Sequence, residues 1–409
     1  MGFKHTQLDN GLTVIAEVNP AAASMAAGFF VQTGSRDETP ELAGVSHFLE
    51  HMVFKGTARR SAQDVNRELD EIGAHYNAAT SVEDTFYYGA VLPEYQQRLL
   101  DVLCDILRPA LRQEDFDVEK GVILEEIAML EDSPQYRLLE VLMGEHFAGH
   151  CLGNSVPGTG ASIAALTRQQ MQDYFDRRYC PGNLIAVAVG AVDYPAFLSQ
   201  LTQTSASWPA RRTRPRPTDP PAFRPARKVI ADPRLTRQQI ALMSAAPDHH
   251  SRHRFAAQLL SAILGDATGS RLYYALVDPA IADEAATSYE PMDGAGGFLT
   301  FLSCDPHRAA QAIDLADAEL RKLRDEGPTE AELTAAKNKI ACAATLRGEL
   351  PMGRLTAVGF DWAYRRQYVP LAEQIASLLT VTPKQVQDVA RQYDLAAATV
   401  VALGPLESL

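Results

Sequence analysis

Cysteine is scarce in this sequence, and the few cysteines are widely separated. The chain has 5 cysteines among 409 residues, and no pair has the Cys-x-x-Cys spacing of a metal or redox site. An odd and scattered set predicts reduced thiols and argues against a disulfide framework. These residues are Cys104, Cys151, Cys180, Cys304 and Cys342.

The sequence also lacks an excess of positive charge and lacks long apolar runs. Lys and Arg total 38 against 51 Asp and Glu, a net charge of −13, which disfavours nucleic acid as a partner and favours cationic or neutral substrates. A solvated acidic surface, which is the commoner case, is the alternative explanation of the charge. No apolar run approaches the ~18 residues that would cross a bilayer. The first residues lead into a turn at Asp9-Asn10-Gly11 without a signal-peptide pattern. We therefore expect a globular protein of the cytoplasm that has no membrane segment.

Histidine is uncommon too, yet two histidines flank a glutamate in the run His47-Phe48-Leu49-Glu50-His51. Residues four apart on a helix share a face, so both imidazoles can reach one metal ion. Glu50 can lie beside that metal without binding it, which is the H-x-x-E-H pattern of inverted zincins. A chance match and a histidine pair packed in a core are the alternatives at this point.

The residues around this motif predict a buried helix. A helix that opens at Pro40 and ends at Gly56 carries apolar side chains around most of its circumference. A buried helix must satisfy its polar side chains, and one metal ion would satisfy both histidines. The apolar positions are Leu42, Val45, Phe48, Leu49, Met52 and Val53.

A second predicted helix, over 113–130, contains three glutamates. Glu119 and Glu126 lie on nearly the same face, whereas Glu125 points away from them. Glu119 and Glu126 are therefore candidates for a third metal ligand and its neighbour. Periodicity alone leaves it equally open that all three are surface glutamates.

The chain divides near its midpoint at a segment rich in proline and arginine, over 208–226, which is typical of an extended linker. The order of predicted strands and helices is α+β on both sides, so we expect an internal structural repeat. The predicted domains are 1–207, with the histidine motif, and 227–409, without it. His249 and His253 in the second half lack a glutamate in a catalytic place, and we do not expect a metal there.

Several stretches together resemble the pitrilysin–insulysin family of zinc peptidases, and most of all its short branch, which includes the mitochondrial processing peptidase subunits and bacterial relatives. The resemblance spans nearly the whole chain, and the H-x-x-E-H motif is its most specific part. It implies two homologous α/β-sandwich halves, each with a mixed, mostly antiparallel sheet. The similar stretches are 8–14, 44–56, 73–80, 119–127, 179–190, 269–272 and 382–393.

The resemblance also implies roles for single residues. One zinc ion per chain would be held by His47, His51 and Glu126, while Glu119 orients a ligand histidine. Zinc would activate a water molecule, and Glu50 would act as its general base. A peptide substrate would add as a strand to an exposed sheet edge. The residues that match this edge are Asn77, Ala78, Ala79 and Thr80.

One departure from the family pattern bears on partners. Family members that act alone carry an arginine and a tyrosine after the Gly-Ser-Arg-Leu stretch, whereas this chain has Val277 and either Asp283 or Glu284 there. We therefore expect a heterodimer with a homologous subunit that supplies this pair. The alternative is a homodimer in which Arg271 or another local group substitutes. A non-catalytic structural subunit and a peptide-binding subunit are the rival functions.

Overall fold

The structure is a computed structural model that describes residues 2–210 and 220–409. The described strands are β1 (Gly2–Gln7), β2 (Thr13–Val18), β3 (Met25–Val31), β4 (His75–Thr80), β5 (Thr85–Val91), β6 (Leu184–Gly190), β7 (Arg227–Ala231), β8 (Gln238–Ala245), β9 (Ala282–Met292), β10 (Ala295–Cys304) and β11 (Thr399–Gly404).

The α-helices within the same residues are α1 (Val45–Val53), α2 (Ala62–Glu71), α3 (Gln96–Ile106), α4 (Gln113–Asp132), α5 (Pro134–His146), α6 (Gly160–Ala165), α7 (Arg168–Arg178), α8 (Tyr194–Ser205), α9 (Arg254–Gly265), α10 (Ala309–Glu326), α11 (Glu330–Glu349), α12 (Pro351–Arg365), α13 (Leu371–Leu379) and α14 (Pro383–Gln392).

The described residues form two sheets with the same internal plan. The first has the strand order β1-β2-β6-β3-β5-β4 and the second has β7-β11-β8-β10-β9. β2 pairs with β6 in parallel, as β7 does with β11, and the other neighbours are antiparallel. With β1 set aside, the two sheets correspond strand for strand. The α+β fold with two similar halves, predicted from the sequence, is confirmed.

Each sheet belongs to a compact unit that is discontinuous in the chain. The first unit comprises 2–129, 154–210 and 346–368, and the second comprises 130–153, 220–345 and 369–409. In the first unit α12 packs on β3 and β6, and in the second unit α5 packs on β8 and β11, which are the equivalent strands. Each sheet is thus covered by a helix from the other half of the sequence.

The predicted boundary at 208–226 falls partly on 211–219, which lie outside the described residues. The division into 1–207 and 227–409 stays a prediction.

The apolar residues of each sheet explain why helices cover it. β3 and β6 are buried along their whole length, which is typical of strands with helices on both faces. One face of the first sheet packs with α1, α3, α7 and α8 in a large core. The other face packs with Leu355, Val358 and Ala363 of α12.

Among the described residues, every helix is too short or too polar to cross a membrane. The cytoplasmic location stays a prediction from the sequence.

Candidate metal centre

The helix that carries the histidine motif begins later than the sequence predicts. A 3-10 turn covers Pro40–Leu42, and Gly44 then adopts φ +90° before α1 starts at Val45. A Cβ at Gly44 would lie 2.4 Å from the carbonyl oxygen of Pro157, so the backbone angle and the packing both require glycine. The predicted start at Pro40 is wrong because the apolar pattern continues across this break.

A buried hydrogen-bond network holds the start of α1. The carboxyl group of Glu38 accepts hydrogen bonds from the backbone N–H groups of Gly44 and Ser46, both at 2.7 Å, which a helix start otherwise leaves unpaired. Burial raises the pKa of Glu38 to about 8, although these bonds pull it down. The Tyr174 hydroxyl lies 2.8 Å from the hydroxyls of Ser46 and Thr33. The network therefore ties α1 to α7 and to the end of β3.

Three predicted ligands come together between α1 and α4. Nε2 of His47 lies 3.7 Å from Oε1 of Glu126, and Nε2 of His51 lies 3.5 Å from its Oε2. One ligand atom from each residue lies within 4.8 Å of the others. The rings of Phe48 and Phe116 stack with centroids 4.8 Å apart, so α1 and α4 are held together by apolar contact beside the cluster.

Glu119 lies where it can orient His51. Its Oε1 is 2.9 Å from Nδ1 of His51, and its Oε2 is 2.5 Å from Nζ of Lys55. Burial raises the pKa of Glu119, but the hydrogen bonds to His51 and Lys55 outweigh burial and leave it below its ordinary value. An ionised Glu119 can accept a hydrogen bond from Nδ1–H of His51, and in the neutral ring this leaves the lone pair on Nε2, which lies 3.5 Å from Oε2 of Glu126.

The donor set fits zinc. Two imidazole nitrogens and one carboxylate are a common three-ligand set for catalytic zinc, which keeps an open position. Burial lowers the pKa of His47 despite the opposing charge of Glu126, and a neutral ring is the form that binds metal. Nδ1 of His47 is buried without a hydrogen-bond partner among the described residues. The polar contacts of this ring are therefore those within the cluster.

Glu50 lies on the same helix and contacts strand β4. The Thr80 hydroxyl donates a hydrogen bond of 2.6 Å to Oε2 of Glu50. Burial raises the pKa of Glu50, although the bond from Thr80 lowers it. Thr80 ends β4, which has β5 on one side and is the last strand of its sheet. The free edge of β4 thus runs up to the carboxyl group of Glu50.

The four predicted edge residues lie on β4 as expected, with different exposures. Asn77 is exposed, Ala78 is buried, and Ala79 and Thr80 are partly buried. The Asn77 side chain accepts a hydrogen bond from the backbone of Ala78. Their backbone groups, rather than their side chains, are what an added strand would contact.

In the second unit, the positions expected to hold an arginine and a tyrosine offer no side-chain donor. Val277 is aliphatic, and Glu284 is an exposed carboxylate at the start of β9. Asp283 pairs with Arg237 at 2.7 Å. Arg271 is bound to both carboxylate oxygens of Glu332, at 2.7 and 3.0 Å, and to the carbonyl of Gly327.

In the described part of the chain, no metal-ligand group of three forms around His249 and His253. His250 instead pairs with Asp293 at 3.0 Å on the surface.

Sequence reasoning missed two parts of this region. It did not find the network of Glu38, Ser46 and Tyr174, because its members are brought together only by folding. It placed Thr80 on the substrate edge but not against Glu50. Neither contact has a signal in local periodicity, since the residues in each are far apart in the sequence.

Comparison with known proteins gives one family along most of the chain. The family described as insulinase, peptidase family M16, matches residues 13–160, and the peptidase M16 inactive domain matches residues 165–340. An uncharacterized zinc protease of Mycobacterium tuberculosis is 30% identical over 414 residues, with 98% of this chain and 93% of the relative covered. An uncharacterized zinc protease of Bacillus subtilis is 27% identical, with 99% and 100% covered.

Solved structures agree at the level of the fold. A crystal structure of a peptidase M16 inactive domain from Pseudomonas fluorescens has a TM-score of 0.93 at 17% identity, with 100% of this chain and 99% of that chain covered. At this identity the likeness concerns the fold alone. The family match and the 30% identity to the mycobacterial protein over 98% of this chain show more than a shared fold. The chain therefore belongs to the insulinase family of metallopeptidases, peptidase family M16.

Proposed function

We propose that this chain is the zinc-bearing subunit of a metallopeptidase that hydrolyses unfolded peptides. The observation that carries the proposal is the convergence of His47, His51 and Glu126, with Glu50 beside them on α1. One zinc ion per chain would be held by these three ligands. The names of the zinc protease relatives support the same metal.

Residues of this chain would have separate roles in the hydrolysis. A zinc ion held by His47, His51 and Glu126 would supply Lewis acidity, which would favour attack by water near neutral pH and polarise the scissile carbonyl. Glu50 takes a proton from the water and passes it to the leaving amine. The raised pKa of Glu50 brings its proton affinity closer to that required of a general base. The edge of β4, with Asn77, Ala78, Ala79 and Thr80, aligns the peptide as an added strand.

Metal analysis combined with a peptide cleavage assay tests this function. We expect the purified chain to contain about one zinc ion, which His51→Ala removes together with cleavage. Glu50→Gln keeps zinc and loses cleavage, because it removes a base and not a ligand. Glu125→Gln, on the exposed side of α4, is the matched control and should change neither. Full zinc in the chain with both His47→Ala and His51→Ala would refute the metal assignment.

We also propose that the active form is a heterodimer. Val277, Asp283 and Glu284 supply no donor for the oxyanion of the reaction, and Nε and Nη2 of Arg271 are already bound to Glu332 and Gly327, which leaves only its buried Nη1 without a partner among the described residues. Loss of one such donor costs about 10²–10³ in rate. A homologous subunit with the arginine and tyrosine would restore that stabilisation.

The partner test uses the zinc-loaded chain alone and then with homologous subunits that carry the pair. We expect cleavage by the chain alone to be slower by about 10²-fold or more than cleavage by the mixture. Full activity of the chain alone would refute the heterodimer and favour the homodimer. A zinc-bound chain that binds peptides and cleaves none in any mixture would instead favour the peptide-binding alternative, and a chain without zinc or peptide binding would favour a structural subunit.

A further inference from the structure

Helix α4 exposes a row of large apolar side chains beside the candidate metal centre. Val118, Val122 and Met129 are 70, 44 and 71% exposed, and their spacing places them on one face of the helix. We call these three residues the α4 stripe. Grouped apolar side chains in solvent commonly mark a contact surface.

The stripe lies next to the ligand Glu126. Val122 is one turn before Glu126 and Met129 is one turn after it, both on the solvent side. Helix residues one turn apart have Cβ atoms about 5–6 Å from each other. A peptide whose carbonyl reaches the metal centre therefore brings its neighbouring side chains within reach of Val122 and Met129.

The packing of α4 does not require the stripe. Phe116, Glu119, Ile123 and Ile127 are the buried residues of this helix, so its inner face is already filled. On another side, Nζ of Lys120 donates to the carbonyls of Ala164 and Leu166 at 3.1 and 2.6 Å. The stripe is on the side of α4 that borders the metal centre and meets solvent.

We propose that the α4 stripe binds apolar side chains of the peptide substrate next to the scissile bond. This inference rests on the proposed peptidase function and names the class of peptide that the site prefers. Burial of apolar surface gives the preference, since it is favourable and roughly proportional to area. The net charge of −13 attracts basic peptides at long range, and the exposed Glu125, between Val122 and Met129 on the same face of α4, adds a local negative charge against which the apolar preference has to be measured.

Peptide binding to the non-cleaving chain tests the stripe directly. The Glu50→Gln chain, loaded with zinc, is titrated into fluorescein-labelled peptides of about ten residues, which suffices for an edge strand. The peptides differ only in a central pair of residues, which is Leu-Leu, Lys-Lys or Glu-Glu. We expect the Leu-Leu peptide to bind about tenfold more tightly than the other two, and Val122→Ser with Met129→Ser to reduce that preference to about twofold or less.

Leu92→Ser is the matched control. Leu92 is also an exposed apolar residue, at 52%, and it follows β5 at the end remote from Thr85, the partner of Thr80. This variant should leave all three affinities unchanged. Val118→Ser should have a smaller effect than Met129→Ser, because Val118 is two turns from Glu126.

Other results would overturn the inference. Equal binding of the three peptides, or an unchanged preference in the double variant, would remove the stripe from substrate binding. A change of oligomeric state in the double variant, measured by light scattering, with the peptide preference intact would assign the stripe to a subunit interface. Cleavage of the Leu-Leu, Lys-Lys and Glu-Glu peptides at equal rates would overturn this inference but not the proposed function. Failure to bind or cleave any peptide would overturn the proposed function as well.

Discussion

At the scale of single residues, Thr80 connects the proposed substrate edge to the proposed catalytic base. Its hydroxyl donates to Oε2 of Glu50 at 2.6 Å, and its backbone belongs to the edge strand β4. A carboxylate that is free to rotate would spend less time in the orientation that accepts the proton. In the proposed mechanism, Thr80 would therefore be a positioning residue for Glu50.

Removal of this hydroxyl should affect turnover more than binding. We expect Thr80→Val, which keeps the side-chain shape, to lower kcat by about 10- to 100-fold, since a hydrogen bond to a charged group contributes about 1.5–3 kcal/mol. KM and zinc content should change little, and Thr80→Ser should restore most of kcat. Steady-state kinetics with metal analysis gives the answer, and a rise in KM at constant kcat would show that Thr80 only binds substrate.

Glu119 gives a second prediction at this scale. Glu119→Gln removes the negatively charged oxygen that accepts a hydrogen bond from Nδ1–H of His51. The His51 ring would then be oriented less firmly for binding zinc. Zinc affinity should fall by about 10- to 100-fold, measured by competition with a chelator. Glu125→Gln, an exposed neighbour on α4, should leave the affinity unchanged. An equal loss in both variants would mean that overall charge, and not the contact to His51, sets the affinity.

Single residues show what the sequence could and could not predict. Helical spacing alone predicted that His47 and His51 share a face and that Glu119 and Glu126 share another, and the structure brings these faces together. The choice of Glu126 as the ligand came from the family resemblance, with which the helical spacing agreed; periodicity alone left all three glutamates open as surface residues. The contact of Thr80 with Glu50 could not be predicted, because it depends on which way β4 approaches α1.

At the scale of elements, local patterns predicted where most helices and strands lie, but not which elements pack against each other. The helix predicted over 113–130 is observed as Gln113–Asp132. The start of α1 was missed because Gly44 breaks a helix whose apolar pattern continues through it. Periodicity also shows that α12 has an apolar face, but it cannot show that this face covers β3 and β6, far away in the sequence.

A buried ion pair ties α12 to the first sheet. Arg354 of α12 donates through Nε to Glu17 of β2 at 2.9 Å, and also through Nη2. The two side chains are only 6 and 3% exposed. Tyr368 donates to the same carboxylate at 2.8 Å. Loss of one partner would leave a charge buried without compensation.

We therefore expect Arg354→Met to lower the free energy of unfolding by about 3–5 kcal/mol, measured with denaturant at neutral pH. Lys384→Met is the control, because Lys384 is 79% exposed and pairs with Asp388 on the same helix. That change should cost less than about 0.5 kcal/mol. Equal effects of the two substitutions would show that the buried pair contributes no more than a surface pair.

The same pair predicts a dependence on pH. Burial alone would raise the pKa of Glu17, but the hydrogen bond and charge of Arg354 outweigh it and lower the pKa below the ordinary 4.5. The stabilisation is therefore present above the unfolded value and is lost as pH falls through the lower, folded value. The stability difference between the natural chain and Arg354→Met should shrink on acidification in that range. A constant difference would contradict the assignment.

At the scale of the whole molecule, the two units share one strand plan but not the predicted site residues. Both sheets have the same strand order and direction, yet the predicted ligands and base all lie in the first unit. Residues 165–340, which include much of the second half, match a family domain described as inactive. The repetition of an α+β order of elements in both halves was predicted from the sequence, whereas the order of strands within the sheets and the crossing of α5 and α12 between the halves were not.

This crossing predicts that the first half of the sequence is not an independent folding unit. A fragment of residues 1–210 lacks α12, so Phe30, Val187 and their neighbours lose the cover of Leu355 and Val358. Full burial of each large aliphatic or aromatic side chain contributes about 1.5–3 kcal/mol. We expect the fragment alone to melt without cooperativity, followed by circular dichroism and calorimetry.

A synthetic peptide of residues 346–368 should restore a cooperative transition, because it returns both the apolar face of α12 and the partner of Glu17. The matched control is the same peptide with Leu355→Ser and Val358→Ser, which keeps Arg354 but removes two apolar contacts, and it should rescue weakly. A fragment that melts cooperatively without any peptide would show that the sheet of the first unit is stable without α12. The discontinuous unit would then describe packing in the folded chain but not a requirement for folding.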